Sequence, residues 1–80
     1  MRFHWTHEKP PLPRYALRDS NGYTHAAITG KGMFYGLLFE PGLPDSGPYK
    51  CRQDAADWIA KMMVQLNPNL KDSVFEKVPK

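Results

Sequence analysis

The sequence predicts an α+β domain: a three-stranded antiparallel meander with one C-terminal amphipathic helix packed on one face. Three observations predict it. Residues 14–19 alternate at period two, Asn21-Gly22 follows them at once, and apolar residues recur at helical spacing from Ala55 to Leu66.

The elements follow in chain order. Residues 1–13 form a lead segment in which Pro10, Pro11 and Pro13 fix φ and remove backbone donors, so Lys9 to Pro13 should be an extended, polyproline-like arm. Ahead of it, Phe3 and Trp5 alternate with polar neighbours, which suits a short strand or an anchor lying on the domain. Asn21-Gly22 marks the first hairpin, since both residue types tolerate positive φ. The return strand runs from Tyr23 to Thr29, Gly30-Lys31-Gly32 turns the chain again, and residues 33–40 make the third strand. Three prolines and two glycines between Pro41 and Pro48 mark a loop. Cys51 then stands at a helix N-cap position with Asp54 three residues on, a weakened capping box. Ala55, Trp58, Ile59, Met62, Met63 and Leu66 form one apolar stripe, giving a helix over residues 52–66 that Asn67-Pro68-Asn69 ends. Residues 67–80 should be a further short helix or a docked tail. The meander and helix, residues 14–66, are the domain proper.

Composition bounds what such a domain can do. Eighty residues suit one domain, which buries about 60% of its unfolded surface for roughly 4–12 kcal/mol of stability. That leaves little margin for a strained or desolvated active site. A single cysteine excludes an internal disulfide and fits a reducing compartment. No apolar run approaches membrane-spanning length, so the expectation is a cytoplasmic, soluble chain with no membrane partner. A net charge of +3 suits an anionic partner without demanding one.

One helix can cover only one face of a meander. Pleat alternation assigns Tyr15, Leu17, Ala26, Ile28, Met33, Tyr35, Leu37 and Phe39 to the face that meets the helix. The reverse face then carries Arg14, Ala16, Arg18, Tyr23, His25, Ala27, Thr29, Phe34, Gly36, Leu38 and Glu40. It mixes cations with small and apolar groups, so it is the expected partner-binding surface. The residues proposed for contact are Arg14, Arg18, Tyr23, His25, Lys31 and Phe34, with Trp5 from the lead segment. The alternative is that Phe3 and Trp5 fold the lead segment across this face.

Catalytic and metal chemistry find no footing. His4-x-x-His7 supplies two ligands, too few for a site, and Cys51 has no nearby general base. Gly30-x-Gly32 lacks the spacing of a phosphate-cradling loop. No catalytic residue, metal site or cofactor is expected.

Gly22-Tyr23-x-x-Ala26, Phe34-Tyr35-Gly36 and Tyr49-x-Cys51-x-x-x-Ala55-x-x-Trp58 together resemble a class of small bacteriophage and mobile-element proteins. The resemblance spans roughly residues 14–66. It implies a phage-encoded inhibitor, similar to anti-CRISPR proteins, that occupies a surface of a host protein or ribonucleoprotein complex in a bacterial cytoplasm. A related sheet-plus-helix layout occurs in integrase arm-binding domains. That implies the alternative of a DNA or RNA binder using Arg14, Arg18, His25, Lys31 and Lys50. A third expectation is a homodimerising structural module.

Overall fold

The computed structural model describes residues 1–9, 14–39 and 44–79. The proline run expected as a stiff arm, Pro10 to Pro13, lies outside them. The elements are β1 (Arg2–Glu8), β2 (Arg14–Asp19), β3 (Thr24–Thr29), β4 (Phe34–Leu38), β5 (Ser46–Tyr49), α1 (Arg52–Leu66), a 3-10 turn (Pro68–Leu70) and β6 (Val74–Phe75). The fold is α+β, and α1 has the bounds its apolar stripe predicts.

The expectation of three strands is corrected to six, in the order β5-β4-β3-β2-β1-β6. All neighbours are antiparallel except β1 and β6. The predicted meander is the centre of this sheet. β1 joins because Phe3 and Trp5 alternate with polar residues: the register Phe3↔Asp19, Trp5↔Leu17, His7↔Tyr15 places Phe3 and Trp5 on the core side. β5 holds Pro48, which a sheet edge tolerates because one side of that strand needs no donor. The tail docks as β6, with Val74 N–H donating to the Met1 carbonyl at 2.9 Å and Glu76 N–H to the Phe3 carbonyl at 3.0 Å.

The second layer has two parts. α1 packs on β4, β5 and β3 through Ala55, Ala56, Ile59 and Met63, all buried. The tail covers the β1 side. Phe75 stacks on Phe3 with ring centroids 4.8 Å apart, the Trp5 indole N–H donates to the Glu76 carbonyl at 2.9 Å, and Val78 N–H donates to Gln53 Oε1 at 3.0 Å.

Two face assignments are corrected. Trp5, expected in contact with a partner, is 7% exposed and part of the core. Phe34, expected on the free face, is 8% exposed and faces the helix with Gly36 and Leu38. Strand β4 is therefore one residue out of the predicted phase, and Tyr35, Leu37 and Phe39 take the reverse face. The cause is local. From Met33 to Phe39 every residue but Gly36 is apolar, so alternation carries no phase. Trp58 favours this phase: a Cβ at Gly36 would lie 3.0 Å from its ring, so the glycine is the residue of this run that fits beneath it without displacing the ring. Arg52, in the first turn of α1, then lays its guanidinium over Phe34 at 4.6 Å and Tyr15 at 5.2 Å. Cys51 is the N-cap residue, but its side chain makes no capping bond.

Candidate functional site

The fold divides the predicted contact residues among four places. Trp5 and Phe34 are core. Lys31 is exposed in the turn between β3 and β4. Arg14 and Arg18 point from β2 to the reverse face, and Tyr23 and His25 lie at the far end of the sheet on the helix side.

On the reverse face the two arginines are already engaged. Glu8 accepts a hydrogen bond from Arg14 Nε at one carboxylate oxygen and from Arg18 at the other, the latter at 2.9 Å. The bond from Arg14 chiefly, and that from Arg18, hold the Glu8 carboxyl below its ordinary 4.5, against the opposing pull of desolvation. Ala16 and Ala27 on this face are 0% exposed although no described element packs on it. The small residues form a floor over which long side chains lean inwards: Arg18 reaches along β2 past Ala16 to Glu8, and the Arg14 guanidinium lies 5.3 Å from the Phe39 ring centroid. A groove of free cations, which phosphate backbones require, is not what this face presents.

The far end is organised by a β-bulge. Leu17 pairs with Ala26 but Arg18 with Thr24, so His25 is the extra residue and turns toward the helix side rather than the reverse face. There its ring meets Phe3 edge-on at 5.2 Å and Tyr23 at 5.0 Å, and its Nε2 shares a 2.9 Å hydrogen bond with Asp19 Oδ2. Asp19 is buried, and its other oxygen accepts from the N–H groups of Asn21 at 2.8 Å and Tyr23 at 3.1 Å. The His25 bond first, then these backbone donors, keep its carboxyl below the ordinary 3.8, against desolvation. Asp19 also closes the hairpin, since Gly22 N–H donates to its carbonyl at 3.0 Å and Gly22 supplies the positive φ of 82°. Asn21, which tolerates positive φ, does not adopt it. Asp19 was not among the predicted site residues, although Asp ahead of Ser-Asn-Gly is the signal of such a side-chain-stapled turn.

Beside this pair lies an open cleft of about 290 Å³. Phe3, Leu38 and Met63 make its buried floor. Met1, Tyr23 and Leu66 stand around its rim, and Thr24, His25, Phe39, Asn67 and Leu70 complete the lining. No Asp, Glu, Lys or Arg side chain lines it. Asn67 Oδ1 is occupied by the Asn69 N–H at 3.2 Å. Of the seven large hydrophobic side chains exposed among the described residues, Met1, Tyr23 and Leu66 stand on this one cleft, while the Phe39 ring turns to Arg14 on the reverse face. Exposed apolar groups scattered singly are ordinary, whereas concentration around a concavity marks a contact site.

No family model, curated protein or solved structure matches the chain. Among the described residues no group of three His, Cys, Asp or Glu side chains could hold a metal ion, and no helix is long and apolar enough to cross a membrane. His4 and His7 stand three apart on β1, so they point to opposite faces and cannot chelate together. His7 instead stacks on Tyr15 at 4.8 Å.

Proposed function

We propose that this chain is a non-catalytic protein-binding domain whose cleft between the β3 and β4 end of the sheet and the end of α1 receives an apolar side chain of its partner. The clustering of Met1, Tyr23 and Leu66 around one concavity without Asp, Glu, Lys or Arg side chains carries the reading. A pocket that desolvates an anchor, ringed by an amphipathic tyrosine and a flexible methionine, is how a small interface concentrates its binding energy. A lining without Lys or Arg, and the pairing of both Arg14 and Arg18 to Glu8, favour protein over nucleic acid as the partner. The resemblance to small bacteriophage proteins is what points to a host defence complex as that partner; it rests on sequence pattern alone.

Photo-crosslinking tests the reading. A photoreactive residue replacing Tyr23 should capture a defined partner that the same residue at Val74, exposed on the β6 edge, does not. The same capture pattern from both positions, or capture from Val74 alone, would refute the cleft as the contact site.

A further inference from the structure

Independently of the cleft, we infer that Arg14 and Arg18 form a recognition pair for a single oxyanion group, a carboxylate or a phosphate, which the chain fills from within by its own Glu8. The two arginines are four positions apart on β2, on one face, with Ala16 midway between them. The small side chain there lets both guanidiniums lean over the same spot. Each takes a different oxygen of one carboxylate, so two cations share one anion and the cluster keeps an excess positive charge. Arg18 Nε is buried with no hydrogen-bond partner among the described residues, a donor that the carboxylate leaves unmet. A charge-assisted bond to such a donor is among the stronger polar contacts available at a surface. Glu8 sits directly opposite Arg14 in the β1–β2 register. It is therefore present at an effective concentration that a free ion cannot match, and the pair stays silent while β1 is docked.

The test uses the full chain and inorganic phosphate, followed by the NMR signals of the arginine Nε–H groups. Glu8→Gln removes the internal anion while keeping the shape of the side chain. Its Arg14 and Arg18 signals should move saturably with phosphate, at an affinity at least about tenfold above that of the unaltered chain. The double variant E8Q/R18Q should lose the response. Equal titrations of E8Q and the unaltered chain, or a response that survives in the double variant, would overturn the inference. Acetate in place of phosphate separates the two chemistries, and failure of both ions to bind E8Q also overturns it. Should E8Q fail to fold by circular dichroism, Glu8→Asp carries the test. Its carboxylate is one methylene too short to hold both guanidiniums, so phosphate should bind it more tightly than the unaltered chain. Loss of fold in both variants would make Glu8 a purely structural residue and end the proposal.

Discussion

The two faces of the sheet are closed by different means. On the helix side, Leu17, Ala26, Ile28 and Phe34 are covered by other elements, α1 and the docked tail. On the reverse side, Ala16 and Ala27 are no more accessible than Leu17, yet the visible cover comes from side chains of the same strands. The difference lies in side-chain size. A floor of alanines lets Arg14, Arg18 and Phe39 fold inwards, so a sheet face without a second layer of secondary structure need not be a free surface. Open apolar surface appears instead where regular pairing breaks, at the bulge beside His25 and the end of α1.

That contrast can be broken most forcefully from the helix side. Phe3→Ala should cost about 3–5 kcal/mol, because the residue is fully buried and stacked between β6 and the core. Urea unfolding measures it. A loss under about 1 kcal/mol would make β1 the loosely attached arm that the proline run suggests, with its residues surface groups. Gly36→Ala should cost roughly 1–3 kcal/mol, since the new methyl meets Trp58 and Ile59 and pushes α1 off β4. No change would mean that β4 takes the opposite phase.

Smaller and sharper is the response to acid. Asp19 and Glu8 both have carboxyls depressed below their ordinary values, 3.8 and 4.5. A group depressed in the folded state stabilises it fully above its unfolded value and loses that contribution as pH falls through the folded one. Thermal stability should therefore hold at neutral pH and fall progressively below those ordinary values. Asp19→Asn should lower stability at neutral pH and flatten the acid limb. An acid limb unchanged in Asp19→Asn would show that the pair with His25 contributes nothing.

Much of the helix side was legible. The stripe from Ala55 to Leu66 defines α1, and alternation in residues 14–19 and 24–29 defines β2, β3 and their inward sets. Strand β4 was legible as a strand but not in phase, because an almost wholly apolar run lets either side face inward until Trp58 lands on Gly36. β5 hid behind Pro48 and Gly47, and β6 is two residues whose pairing partner is 72 positions away in sequence. For the candidate site, Tyr23 was visible as an exposed aromatic beside the turn and His25 as a contact residue on β3. The face taken by His25 was not, since a bulge leaves no mark in alternation. Nor was the cleft itself, whose floor is assembled from Phe3, Leu38 and Met63, residues that no local pattern connects.

The contact surface is best tested by comparing two variants against the partner captured through position 23. Leu66→Lys places a charge on the cleft rim while adding a cation to a helix end that lacks one, so the fold should be kept. Tyr35→Ala alters the exposed reverse face alone. Calorimetry should show Leu66→Lys weakening binding by about 100-fold, roughly 2.7 kcal/mol. Tyr35→Ala should stay within about threefold of the unaltered chain, well under 1 kcal/mol. The opposite ranking would contradict the account and return the binding surface to the reverse face.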